Sequence, residues 1–195
     1  MKKLVLAAAT VLFSVAGFAQ DLQVNTDESK LEWVGEKVTG KHWGTVDIQK
    51  GMLTLDGNSI TGGEIHVNMA TINVQDLEGD SKAKLTGHLK SDDFFSVEQN
   101  PTVKFVITKV KADSKLKNGN THSVTGILSI KGKTETISFP ARLNVSDDEV
   151  TAFASFKLDR TKWNIRYGSG SFFDNLGDKT IYDEFQVKFN ITASK

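Results

Sequence analysis

The chain has 195 residues, enough for one domain, with 24 Lys+Arg against 24 Asp+Glu and no cysteine. The even charge excludes a global basic field for nucleic acid. The missing cysteine excludes disulfides, thiolate catalysis, Cys-ligated metals and a lipid anchor on an N-terminal cysteine. Hydrophobic residues at 38% and charged residues at 25% match a globular chain rather than a disordered one.

Lys2 and Lys3 precede an apolar run from Leu4 to Phe18, and Gly17 and Ala19 supply small residues at the −3 and −1 positions of a cut before Gln20. This pattern predicts a cleavable secretory signal peptide over 1–19 and a mature domain over 20–195 that is periplasmic or secreted. The run is shorter than the ~20 residues a bilayer anchor needs, and no later run is long and apolar enough to span, so no transmembrane segment is expected in the mature protein.

From there apolar side chains recur at every second position. Leu31 and Trp33 begin the pattern, followed by Ile65, Val67 and Met69, then Val103, Phe105 and Ile107. Further sets are Val124, Gly126, Leu128 and Ile130; Ile137 to Val145; Val150 to Leu158; and Phe185, Val187, Phe189 and Ile191. Period two with polar residues between is the mark of antiparallel strands with one dry face. Turn signals at Asp56-Gly57-Asn58, Lys117-Asn118-Gly119-Asn120, Lys131-Gly132-Lys133 and Asp147-Asp148-Glu149 separate the runs. The pattern predicts roughly eight strands, closed as a barrel or stacked as a sandwich. Pro140, inside one run, marks a bulge or an unpaired edge position.

Two stretches break the alternation. Asp80 to Lys90, with Leu85 and Leu89 four apart, predicts a short amphipathic helix capped by Asp80 or Ser81. Its Lys82, Lys84 and Lys90 form a basic stripe, read as a solvated face or an anion contact. Asp159 to Asp183 is irregular and carries Trp163, Tyr167, Phe172, Phe173 and Tyr182. It is read as a lid or cavity mouth, or as a loop whose aromatics fill the barrel end.

No catalytic or metal constellation is visible. His42, His66, His88 and His122 lack the helical His-x-x-x-His spacing, and no acidic run has the periodicity of a calcium loop. A nucleophile elbow, a P-loop and a dinucleotide fingerprint are all missing, so no cofactor or metal is expected. The residues alone describe an exported all-β domain with a short helix. Its apolar inward positions suit a cavity for an apolar ligand and a filled core equally well.

Three segments are more specific. HLKSDDFFSVEQNPTVKF (His88 to Phe105) resembles the hallmark segment of the YceI-like family of polyisoprenoid-binding periplasmic proteins. TGILSIKGKTETISFPA (Thr125 to Ala141) and the Lys41-His42-Trp43-Gly44 segment with the strands after it are similar to two further parts of that family. The resemblance runs from about Leu22 to Ile191. It implies an eight-stranded antiparallel, lipocalin-like β-barrel with a helix against it, and a long isoprenoid or other amphiphilic chain inside with its polar head near the mouth. It also implies a non-enzymatic carrier, with homodimers known among such proteins. Lys162 to Phe185 departs from the family pattern: Trp163-Asn164 stands where many members have Phe-Gly.

On these grounds the expected ligand-contacting residues are Trp33, Phe94, Phe105, Ile107, Leu128, Phe139, Phe156, Trp163 and Phe173. Phe94 and Phe95 are candidates to plug one end. Phe153 is also a candidate, but Phe153 and Phe156 cannot share one face of a regular strand. His88 and Lys90 are carried over from the motif as head-group candidates, and Arg166 is added because guanidinium pairs with phosphate bidentately. The alternative reading is a fully packed structural or stress-protective barrel without a ligand.

Overall fold

The computed structural model describes residues 19–146 and 148–195. The expected signal peptide therefore lies almost wholly outside the described residues. Nine strands and one α-helix follow in chain order: β1 (Gln20–Val24), β2 (Lys30–Lys37), β3 (Gly40–Asp56), β4 (Ser59–Val74), α1 (Gly79–Lys90), β5 (Thr102–Ala112), β6 (His122–Ile130), β7 (Lys133–Val145), β8 (Glu149–Asp159) and β9 (Ile181–Ser194).

Each strand from β2 to β9 pairs antiparallel with the next, and β9 pairs back onto β2, which closes an eight-stranded barrel. Closure removes the exposed edges that an open sheet of this length would present. The ninth strand does not add a position. β1 pairs with Met52–Leu55 of β3 and with Ala193 and Ser194 of β9, along the same line that β2 occupies further down. β1 and β2 are thus one barrel strand broken at Asn25–Ser29. The break is satisfied locally: Asn25 Oδ1 accepts from the Asp27 and Glu28 N–H groups, and the Ser29 hydroxyl bonds the Thr192 backbone.

The alternating sets of the sequence become the inward faces of β4 to β9. On β8 the parity settles on Ala152, Ala154, Phe156 and Leu158. Phe153 points outward, where the Arg142 guanidinium lies 5.1 Å from its ring centroid. β3 behaves differently. Its ladder with β4 shifts register at Thr45/Asp47, Ile48/Lys50 and Thr54/Leu55, so the buried parity moves from Val46 and Ile48 to Leu53 and Leu55. A strict period-two count cannot see such a strand.

Pro140 sits opposite Ser123 of β6, one residue before the β7–β8 ladder begins at Ala141. On its β8 side it is an unpaired edge position, one of the two readings the sequence allowed. Below it β7 and β8 part, and a 3-10 turn over Arg160–Trp163 packs against β7 and β9.

The helix starts one residue earlier than expected, and its N-cap is Glu78, which makes no side-chain cap bond. This corrects the assignment of the cap to Asp80 or Ser81: Asp80 lies in the first turn, where its charge suits the positive end of the helix. At the other end Ser91 caps α1 through its N–H to Gly87 and His88 and its hydroxyl to the His88 carbonyl.

Candidate functional site

The barrel encloses a cavity of about 410 Å³. Its wall comes from every strand except β1 and is almost wholly aliphatic and aromatic. Along β5 to β9, Phe139 and Phe156 stack with ring centroids 4.1 Å apart and an interplanar angle of 2°. Phe189 meets Phe139 edge-on at 5.8 Å, and Phe105 lies 5.6 Å from it. Gly126 makes room for this group: a Cβ there would lie 2.5 Å from the Phe105 ring and 2.4 Å from the Val106 carbonyl oxygen.

One end of the barrel is shut. Leu22, Leu55, Val150 and Ala193 are at most 3% exposed and do not line the cavity. The other end opens to solvent where Tyr167 and Tyr182, each nearly half exposed, form part of the lining. At this mouth α1 and the turn after it bring in Leu85, His88, Phe94 and Phe95. The Ser91–Asn100 turn is held by backbone bonds from Phe94, Ser96 and Val97 to Ser91 and Lys90. The Ser96 hydroxyl meets Asp92 and Gln99, and Lys131 Nζ donates to the Asp92 carbonyl. The Ser-Asp-Asp-Phe-Phe-Ser segment is therefore a scaffold that seats two phenylalanines in the cavity wall.

Arg160 is a buried charged group at the mouth. It is 3% exposed, and Nε, Nη1 and Nη2 donate to the carbonyls of Tyr182, Ile165 and Ile181 at 3.2, 2.8 and 3.0 Å. Asp183 lies 3.4 Å away, and the guanidinium sits 5.6 Å from the Phe94 centroid. Burial pushes the Arg160 pKa below its ordinary value, against Asp183 and Asp159, which pull it up. The side chain ties the irregular segment to β9 and has little capacity left for a ligand anion.

Two further features complete the mouth. His42, on its wall, contacts Asp76 through Nδ1 and Oδ2 at 2.7 Å, and Asp76 also accepts from the Trp43 N–H at 3.0 Å. Burial raises the Asp76 pKa, but these bonds outweigh it and hold the carboxyl below its ordinary value. The Nε1 of Trp33 and the Nε2 of His88 are buried with no hydrogen-bond partner. The His88 ring meets Tyr167 and Phe94 edge-to-face at 4.4 and 5.3 Å.

A family model described as the YceI-like domain matches residues 22–193. The chain belongs to the YceI-like family. A UPF0312 protein of Pseudomonas aeruginosa is 32% identical over 99 residues, covering 51% of this chain and 47% of that protein. One from Serratia proteamaculans is 31% identical over 101 residues, covering 52% and 48%. The matched stretch thus spans about half the length of these curated relatives. Burkholderia cenocepacia BcnA shares the fold at a TM-score of 0.69 and 22% identity, covering 88% of this chain and 99% of that one. A Saccharophagus degradans domain, described as polyisoprenoid-binding and implicated in plant cell wall breakdown, does so at 0.62 and 12%, covering 89% and 97%.

Within this YceI-like barrel, Trp33, Phe94, Phe105, Ile107, Leu128, Phe139, Phe156 and His88 all line the cavity. Four candidates do not. Trp163 is fully buried behind the wall, its Nε1 donating to the Leu128 carbonyl at 3.1 Å, so it fills the place where β7 and β8 part. Phe173 is 51% exposed, because the turn at Ser169 carries it outside the mouth; the expectation that it faces inward is corrected. Arg166 is exposed and lies 4.5 Å over the Phe172 ring. Lys90 Nζ bonds the Ala70 carbonyl at 2.7 Å, in a groove outside the barrel. The irregular segment thus both fills the barrel end and builds its mouth.

Arg160, Tyr167 and Tyr182 were not selected as site residues from sequence. The signal for Arg160 was present: the inward parity 152, 154, 156, 158 continues to 160 and places a charge where an apolar residue is due. Among the described residues no cluster of three or more His, Cys, Asp or Glu could hold a metal ion. No helix among them is long and apolar enough to cross a membrane.

Proposed function

We propose that this protein is a non-enzymatic periplasmic or secreted carrier that holds one polyisoprenoid or similar long amphiphilic chain in the barrel. The cavity carries this reading: a closed barrel that could have been filled instead leaves about 410 Å³ behind apolar walls, open at one end. Each CH₂ moved from water into such a wall contributes about 0.8 kcal/mol, so about ten buried carbons contribute roughly 8 kcal/mol before ordering of the chain opposes them. Phenylalanine and leucine walls discriminate weakly between chains of similar width. The polyisoprenoid-binding description of the Saccharophagus degradans neighbour supports isoprenoids as the first class to try. Trp33, Phe94, Phe105, Ile107, Leu128, Phe139 and Phe156 are the proposed chain contacts, with His88 nearest the head.

Native mass spectrometry of the exported, purified protein tests the reading. A stoichiometric adduct with an isoprenoid mass ladder is the expected result. A bare mass, with no uptake of added polyisoprenoid, would refute it. Phe105→Glu places a charge in the cavity and Ile107→Trp occupies its space without one. Both are expected to remove the adduct, and a folded variant that still retains lipid would show the cavity is not the site.

A further inference from the structure

We propose that the mouth of the barrel is a docking face for a phospholipid bilayer, pressed to the membrane surface while a chain passes between bilayer and cavity. The proposal rests on the carrier reading above.

Seven large apolar side chains are exposed among the described residues: Val38, Trp43, Ile127, Tyr167, Phe172, Phe173 and Tyr182. All but Ile127 lie at the mouth end. Val38 is in the β2–β3 turn, with its N–H on the Thr180 carbonyl at 3.1 Å. Trp43 follows His42 of the cavity wall. Tyr167, Phe172 and Phe173 sit on the connection from β8 to β9, and Tyr182 opens β9. Surface aromatics scattered singly need no explanation, but their gathering round one opening does.

These side chains are presented by an anchored frame. Arg160 holds the carbonyls of Ile165, Ile181 and Tyr182, the Ile181 N–H bonds the Gly168 carbonyl at 2.8 Å, and the Ser171 hydroxyl meets Asp183. The rings are therefore held at the rim.

Two observations favour a bilayer over a protein partner. First, Tyr167 and Tyr182 belong both to the exposed rim and to the cavity wall, so apolar surface runs from the rim into the barrel without a break. A chain of the proposed kind is held against water, and a rim sunk in the membrane interface lets it leave without crossing water. Secondly, the rim mixes aromatics with cations, as interfacial surfaces do. Lys37, Lys41, Lys162, Arg166 and Lys179 make no ion pair among the described residues, and the acids Glu36, Asp92, Asp93, Asp159, Asp174 and Asp178 lie among or beside them, also outside any ion pair. The lysines and the arginine set among the rings can meet lipid phosphates individually.

The test is co-sedimentation of the processed protein with vesicles of phosphatidylethanolamine and phosphatidylglycerol, together with uptake of a polyisoprenol from vesicles and from detergent. The double variant Val38→Ser/Phe172→Ser removes two rim side chains that do not line the cavity, and Ile127→Ser is the control away from the rim. The expected result is vesicle binding by the wild type and the control, weakened roughly tenfold or more in the double variant. Uptake from vesicles should fall with it, and uptake from detergent should not. A wild type that takes up the chain from detergent but leaves vesicles in suspension overturns the docking face and points to a protein partner at the rim. Equal vesicle binding by the double variant overturns it too. Absence of uptake by either route removes the carrier reading, and the proposal with it.

Discussion

At the shut end of the barrel, Leu22, Leu55, Val150 and Ala193 pack with 0–3% exposure and no charged group among them. At the mouth, a buried guanidinium saturated by three carbonyls and an aspartate holds a frame from which aromatic side chains project into solvent. The shut end gains its stability by removing apolar surface from water, which is tolerant of direction. The mouth depends on hydrogen bonds of fixed geometry, which define where the opening is and keep apolar rings from collapsing into it. A barrel with a cavity open at one end needs both: one end that is merely closed, and one end that is closed in part and held so.

Substitutions at the two ends should separate these modes. The largest effect is expected from Arg160→Met, which leaves three carbonyls without their donor and the partly exposed Asp183 without its guanidinium. Each hydrogen bond lost from a charged donor costs about 1.5–3 kcal/mol, less where water reaches the acceptor. Chemical denaturation should show the loss, and hydrogen exchange should show it first over 160–182. A variant as stable as wild type would mean that water replaces the guanidinium and that the frame does not depend on it. Leu22→Ala comes next, at about 3 kcal/mol for a fully buried leucine. Its exchange pattern should rise across the barrel rather than at the mouth, with the cavity's ligand uptake retained. Loss of uptake would show that the two ends are coupled.

Trp163→Phe is a smaller probe. It keeps most of the ring but removes the bond to the Leu128 carbonyl, at about 1–2 kcal/mol. The smallest effect is expected at Asp76. Its folded-state pKa is depressed, so its contribution is fully present above its ordinary value of 3.8 and is lost as pH falls through the lower folded value. Asp76→Asn should therefore destabilise slightly at neutral pH and flatten the acid limb of the denaturation midpoint. An unchanged acid limb would place the acid sensitivity on other carboxyls.

The same contrast governs what could be read from sequence. Strands β6 to β9 carry unbroken inward parity over long runs, and β5 does so as far as Ile107, where a bulge shifts the inward phase to Val110, so Val103, Phe105 and Ile107 or Phe185, Val187 and Phe189 announce both the strand and the face. β3 was not legible residue by residue, because bulges switch its parity between Ile48 and Leu53. The cavity itself was not legible, since Leu128 or Phe139 has the same inward phase whether it faces a void or a neighbour. The motif around Ser91 to Phe95 pointed to the family before it pointed to a physical role, because the turn that seats Phe94 is built from backbone bonds that leave no periodic trace. Arg160 was legible in principle, as a charge in an apolar phase. Phe173 was misplaced because nothing in an irregular segment fixes which way a side chain turns.

The seam between β2 and β9 has a kinetic meaning. It joins Lys30–Gly35 to Phe185–Asn190, nearly opposite ends of the chain, and β1 adds a second contact of the same span at Ala193 and Ser194. Loop-closure entropy must be met before such a pairing contributes anything, which places folding among the slow, high-contact-order topologies, on the order of milliseconds to seconds. Until Ile181–Ser194 docks, the other strands form an open sheet with two free edges and no interior. The cavity therefore does not exist before β9 docks; closing the seam and creating the interior are one event.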